Sequence, residues 1–190
     1  MKQVLILNGD TDKKESTEFL VQAYKNGAES SGATVRILAI SDLIFNSNML
    51  FNNRQIAELE PDLIKALQAI HTSNHIVLFC PVYVDYIPAK IKGFFDRLFV
   101  PEQLFKSNKL NFNNDFAGKS GRIVSILDEH TFKEWKINKR TTYLSIKKTV
   151  FEKRRISPVL SNTIGELHAF DNHYSQKWAS KMEKFGAQLI

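Results

Sequence analysis

His75 to Phe99 reads HIVLFCPVYVDYIPAKIKGFFDRLF, an apolar run that passes into a loop and then into a helical pattern. Ile76 to Cys80 is hydrophobic without interruption, as expected of a strand covered on both faces in a parallel sheet packed between helices. In open α/β sheets ligands sit in the crevice beyond the carboxyl ends of the strands, so Pro81 to Ile87 is the first candidate for a site. Pro88 suits the first turn of the next helix, where a missing N–H costs nothing.

Strands and helices alternate outward from this segment in both directions. Lys2 to Leu7 is a short apolar strand that ends in the turn signal Asn8-Gly9-Asp10. Ser16 or Thr17 is a candidate cap for a helix in which Phe19, Leu20, Ala23, Tyr24 and Ala28 recur at helical spacing as far as Gly32. Thr34 to Ile40 predicts a second strand, and Ile56 to Ile70 a helix with Pro61 in its first turn, beginning near Glu60. After the third strand and its helix, Arg122 to Leu127 predicts a fourth strand, with Asp128-Glu129-His130 at its carboxyl end. Tyr143 to Phe151 suits an amphipathic helix with one basic face, Ser157 to Thr163 a fifth strand, and Asp171 to Leu189 a closing helix. Five such alternations predict a doubly wound α/β domain over residues 1–190, with right-handed crossovers and helices on both faces of a parallel sheet.

A chain of 190 residues with 43% hydrophobic and 24% charged side chains has room for one full core, to which 14 Phe contribute much of the volume. No apolar run reaches the length of a membrane span, and the N-terminus lacks the basic-then-apolar layout of a signal peptide, so a cytoplasmic location without membrane insertion is expected. The single cysteine, Cys80, has no partner for an internal disulfide and reads as a packed thiol at the end of a buried strand. The net charge of +6 is concentrated between Thr131 and Arg155, where nine Lys and Arg face only Glu134 and Glu152. Aromatic residues do not interleave with these charges as in nucleic-acid binders, so a solvated helix face or a surface that steers a phosphorylated ligand is expected, and no nucleic acid.

A dinucleotide-binding loop would carry G-x-G-x-x-G after the first strand, and that motif is absent. The first loop, NGDTDKKEST, instead places Gly9, Thr11, Ser16 and Thr17 ahead of a helix. Hydroxyls and backbone N–H groups at a helix N-terminus form a phosphate site that needs no arginine, although such residues also serve as plain caps. His71 and His75 flank a helix-to-strand turn at the opposite edge of the sheet and read as structural. No His or Cys group has the spacing of metal ligands, so no metal site is expected.

Taken together, ELEPDLIKALQAI, the strand ending at Pro81, and Pro88-Ala89 followed by Lys92-Gly93-Phe94-Phe95-Asp96-Arg97 resemble the flavodoxin-like NAD(P)H:quinone oxidoreductase family, also called the NAD(P)H dehydrogenase or modulator-of-drug-activity group. The match covers most of the first hundred residues. The resemblance implies a flavodoxin-like five-stranded sheet of order 2-1-3-4-5, a bound FMN (or FAD) and NAD(P)H as electron donor. It further implies a quinone or similar flat small molecule as acceptor, reduced by ping-pong hydride transfer. Carried over by position, Ser16 and Thr17 would bind the phosphate, and Asp10 stands where many members have histidine. Pro81, Val82, Tyr83 and Val84 would run along the isoalloxazine ring, with backbone N–H groups offered by the residues after Pro81, and Asp128, Glu129 and His130 would form the third loop. Tyr83 and Tyr86 are candidate walls for a flat substrate, Tyr83 being the catalytic candidate, and His130 is the candidate proton donor to a quinone oxygen. A homodimer is also implied, with the Phe-bearing connections Phe45 to Phe51 and Phe99 to Phe112 as contact.

Several residues depart from the family pattern. Val84 stands where the family commonly has Trp, and the third loop lacks the family's glycine pair. Asp128 and Glu129 there oppose an electron-rich reduced flavin, while Asp10, Asp12 and Glu15 oppose a phosphate in the first loop against only Lys13 and Lys14. A flavin-binding electron carrier and a flavin-less regulatory binding protein of the same fold are the alternative readings.

Overall fold

In the computed structural model of the chain, residues 1–47, 59–83, 86–99, 116–138 and 146–189 are described. Five parallel strands lie in the order β2-β1-β3-β4-β5, where β1 is Gln3–Asn8, β2 Thr34–Ala39, β3 His75–Val82, β4 Ser120–Leu127 and β5 Val159–Gly165. This is the doubly wound sheet that the sequence implied. All eight residues of the central β3 are buried, which is why its sequence shows no polar alternation.

Side chains alternate between two cores, as the pleat requires. Leu5, Leu7, Ile76, Leu78, Cys80 and Ile123 face α2 (Pro61–Thr72) and α3 (Ala89–Leu98). Val4, Ile6, Val77, Phe79, Val124 and Ile126 face α1 (Glu15–Ser30) and, with Met182, the last helix. Burial raises the Cys80 thiol to about 12, so it is a packed side chain with almost no thiolate at neutral pH. Among the described residues no helix is long and apolar enough to cross a membrane.

Helix starts differ from expectation in instructive ways. Ser16 and Thr17 do not cap α1; both lie in its first turn, behind Lys14 at the cap position. The side chain that accepts the Lys14 N–H is Asp10, through Oδ2 at 3.2 Å. Likewise Asp128 does not sit in an open loop. It caps α4 (Glu129–Asn138), accepting Thr131 N at 2.8 Å and Thr131 Oγ1 at 3.1 Å. Of the amphipathic helix expected over 143–151, residues 143–145 lie outside the described residues, and Lys147–Phe151 forms one wide turn with Phe151 buried. The closing helix, α5 (Asn172–Gln188), starts as read, with Asp171 Oδ1 accepting Tyr174 N at 2.7 Å.

Much of the basic stretch is tied down at the surface. Lys133 pairs with Glu129 at 2.6 Å, Lys147 with Glu152 at 3.7 Å, and the Arg154 guanidinium lies 5.1 Å from the Phe99 ring centroid. Phe45 and Phe99, expected at a subunit contact, pack within the chain against Phe94 and Phe95. The remainder of both Phe-bearing connections lies outside the described residues, apart from Asn46 and Ser47.

Candidate functional site

The carboxyl ends of β1, β3, β4 and β5 converge on one end of the sheet, and each contributes a short segment. After β1 the chain turns tightly: Gly9 N donates to Phe79 O at 2.8 Å, and a Cβ on Gly9 would collide with that carbonyl and with Ile91. Asn8 Oδ1 accepts Asp10 N at 3.0 Å, which turns the Asp10 side chain inward. Asp10 is 1% exposed, and its Oδ1 accepts Asp12 N at 3.0 Å while Oδ2 accepts Lys14 N. The carboxylate thus fills the concave side of its own loop.

After β3, Tyr83 N donates to Tyr86 O and Tyr86 N to Tyr83 O, both at 2.9 Å, so the two tyrosines pair in an antiparallel bridge. The Tyr83 amide is therefore already engaged within the chain; Val84 and Asp85 lie outside the described residues. The Tyr83 hydroxyl donates to Asp12 Oδ2 at 3.2 Å, and the Lys14 ammonium sits 4.8 Å from the Tyr83 ring centroid. Burial raises the Tyr83 phenol above its ordinary range, partly offset by Lys14.

After β4, Asp128 is spent on capping. Glu129 pairs with Lys133, and the exposed His130 lies 3.9 Å from Glu134, one helical turn further on. After β5 comes a contributor that the sequence reading did not single out. Glu166, 8% exposed, holds the Lys14 ammonium and lies 3.3 Å from His168 Nε2. Burial works against the Lys14 charge, but the hydrogen bonds and charges of Glu166 and Tyr83 outweigh it and raise its pKa. Glu166 directly follows the last strand residue, so the carboxyl-end rule that pointed to the other loops would also have found it.

Between the first turn of α1 and the segment after β5 lies a groove of about 710 Å³ lined by Lys14, Ser16, Phe19, His168, Phe170 and Asn172, among others. Ser16 Oγ is shielded from solvent and has no hydrogen-bond partner. Thr17, beside it, is buried. An apolar wall of Val82, Leu127 and Phe132, with Trp135 and Phe170 packed on it, supports this end of the sheet. Among the described residues no group of His, Cys, Asp or Glu gathers as metal ligands.

A parallel 2-1-3-4-5 sheet whose β1, β3 and β4 loops meet at one end defines a flavodoxin-like α/β protein. The chain belongs to the family described as flavodoxin-like fold, whose profile matches residues 2–189. No curated protein matches the sequence significantly. Solved structures with this fold include Smu.1420 from Streptococcus mutans (TM-score 0.77, 20% identity, 98% of this chain and 99% of that one). They also include an NAD(P)H:quinone oxidoreductase from Methanothermobacter marburgensis (0.73, 15%, 98% and 95%). A third is an FMN-dependent NADH-azoreductase from Bacillus anthracis in complex with FMN (0.66, 16%, 100% and 99%). These likenesses concern the fold.

Two observations bear on whether a flavin suits these residues. The orphaned Ser16 hydroxyl at the N-terminus of α1 is a buried donor without an acceptor, which a phosphate oxygen would satisfy. The Tyr83 ring, under the Lys14 ammonium, offers a flat wall. The donor set thus fits a flavin, with Asp10 competing for the loop amides at the phosphate end.

Proposed function

We propose that the protein is a flavin-dependent oxidoreductase that takes electrons from NAD(P)H and delivers them to a quinone or similar flat acceptor. The observation that carries this reading is the unpartnered, buried Ser16 hydroxyl at the ligand end of a flavodoxin-like sheet. Support also comes from structures of the same fold whose names state NAD(P)H:quinone oxidoreductase and FMN-dependent azoreductase activity.

In this proposal Ser16, with Thr17 behind it, receives the phosphate end, and Pro81 to Val84 border the ring. A bound flavin supplies the hydride-accepting and electron-donating chemistry, with donor and acceptor using it in turn. The chain's own groups position and shield. Tyr83 is the wall, held by its bond to Asp12 and by Lys14 over its ring, so that little side-chain freedom is lost when a planar ligand stacks on it. The Tyr83 phenol, with its raised pKa, stays protonated and is able to donate to an acceptor oxygen on leaving Asp12. Asp128 holds α4 in place, and His130 on its exposed side remains the candidate for proton supply at the mouth. A second copy of the chain is proposed to close the open side of the site.

The test is an absorbance spectrum of the purified protein with FMN, followed by anaerobic NADPH. Retained flavin that bleaches on NADPH is expected, and flavin that stays oxidised would reduce the protein to a carrier or binding module. Tyr83→Ala is expected to weaken flavin binding about tenfold, since one lost aromatic face is worth about 1.4 kcal/mol. A fluorescence-quenching titration measures it. The second reading, a flavin-free binding protein, is favoured by the carboxylates of Asp10, Asp12 and Glu166 at the phosphate end, and the same spectrum separates the two.

A further inference from the structure

The first loop presents an anion cradle that already holds an anion. Backbone N–H groups of Asp12 and Lys14 point into the concave side of the turn, and both are taken by the Asp10 carboxylate at 3.0 and 3.2 Å. The side chain is buried, and Asn8 holds the turn through the Asp10 amide, so the carboxylate is a fixed part of the loop. The cation best placed to meet a phosphate, Lys14, is neutralised in the same manner by Glu166. Asp12, the third carboxylate, is tied to Tyr83. Ser16 Oγ is left as the buried donor with no internal acceptor.

Resting on the flavin reading above, we propose that Asp10 is a built-in occupant of the phosphate cradle and the residue that sets phosphate selectivity. A dianionic phosphate must either displace the carboxylate from two amides or sit beside it with Ser16 as principal donor, and both cost the phosphate much of its hold. A neutral ribityl chain pays no such penalty. The site therefore grips a flavin by its ring and takes riboflavin nearly as well as FMN.

The experiment compares wild type with Asp10→Ser, which exchanges the internal anion for a hydroxyl donor, and Asp10→Asn, which keeps the shape and one acceptor oxygen. Two readouts are taken: the unfolding midpoint in inorganic phosphate against chloride at equal ionic strength, and fluorescence-quenching titrations with riboflavin and with FMN. In wild type, phosphate is expected to leave the midpoint where chloride does, and the two flavins to bind within about threefold of each other. Asp10→Ser is expected to melt lower in chloride, to recover in phosphate, and to prefer FMN by about tenfold or more. Asp10→Asn falls between, and it carries the comparison if the serine variant does not fold. Wild type stabilised by phosphate as strongly as the variants, or preferring FMN about a hundredfold, would overturn the proposal, because charge-assisted phosphate bonds would then be intact. If none of the three proteins binds flavin, the flavin reading falls. Phosphate rescue of the variants would still support Asp10 as occupant, and its absence would overturn that role.

Discussion

Gly27→Val is expected to lower the unfolding free energy by about 3 kcal/mol, a large share of what holds a domain of this size together. Gly27 is buried on α1, and a Cβ built there would run into the Glu183 carbonyl of α5, far inside contact distance. The approach is reciprocal. A Cβ on Gly186 of α5 would strike the Tyr24 carbonyl and the Ala28 amide of α1. Two glycines thus let the helix backbones touch on one face of the sheet, and no rotamer change relieves a clash against a main chain. Glycine inside a helix costs about 1 kcal/mol relative to alanine, so Gly27→Ala recovers part of the loss while valine recovers less. Gly32, with φ of 81° and nothing within 4 Å of a Cβ, ends α1 in open space. Gly32→Asn, a residue that tolerates that conformation, is the control and should cost well under about 1 kcal/mol. Urea denaturation reads both through the midpoint at constant slope. Equal midpoints for Gly27→Val and wild type would mean that the helices separate freely. In that case the position of Ser16 at the head of α1 would not depend on this packing.

What the sequence made legible was whatever rests on local pattern. β3 could be read because burial on both faces removes polar residues, and the start of α2 because Pro61 follows Glu60, the residue observed at the cap. The ligand end of the sheet followed from the strands, and with it Tyr83 and the first loop. The misread features depend on which local chemistry wins. The resemblance puts Asp128 in a loop, yet Asp128 and Thr131 form an ordinary helix start, from which Phe132 and Trp135 of α4 reach the wall. Ser16 and Thr17 have the composition of caps, but Asp10, four residues before Lys14, reaches the amide first. The Lys14–Glu166 pair joins residues 152 positions apart. No spacing rule reports such a pair, because it exists only once β1 and β5 have been brought into one sheet. The electrostatics of the first loop are therefore a tertiary property: Asp10 and Asp12, expected to oppose a phosphate, are committed to internal partners, while the exposed Glu15 lines the groove.

Between pH 6.5 and 4 the protein is expected to lose about 3 kcal/mol of stability through one side chain, His75. Its ring is buried at the amino-terminal end of β3, with Nε2 3.0 Å from the Tyr24 hydroxyl and Nδ1 2.7 Å from Ser120 Oγ. Both nitrogens are satisfied by a neutral imidazole, which offers one donor and one acceptor. The charged groups around it come from other elements: Arg122 on β4, over the Phe185 ring and bonded to Asn162, and Lys2 ahead of β1. Burial first, and then the positive charges of Arg122 and Lys2, push His75 down to about 4. Tyr24, raised to about 12 by burial, stays protonated throughout and supplies no counter-charge. Above pH 6.5 the ring is neutral in both states and contributes no pH dependence. Below it the unfolded chain takes up a proton that the folded chain refuses, so stability falls with pH until the folded ring also protonates near 4. Carboxylates add their own losses at the acid end, and the measurement is therefore a difference. Urea titrations of wild type and His75→Gln across this window should diverge at neutral pH and converge toward pH 4, because glutamine has no proton to gain. Parallel profiles would mean that the imidazolium is accommodated among Tyr24, Ser120 and Arg122, and that this buried polar cluster opposite the ligand end is as tolerant of charge as the surface.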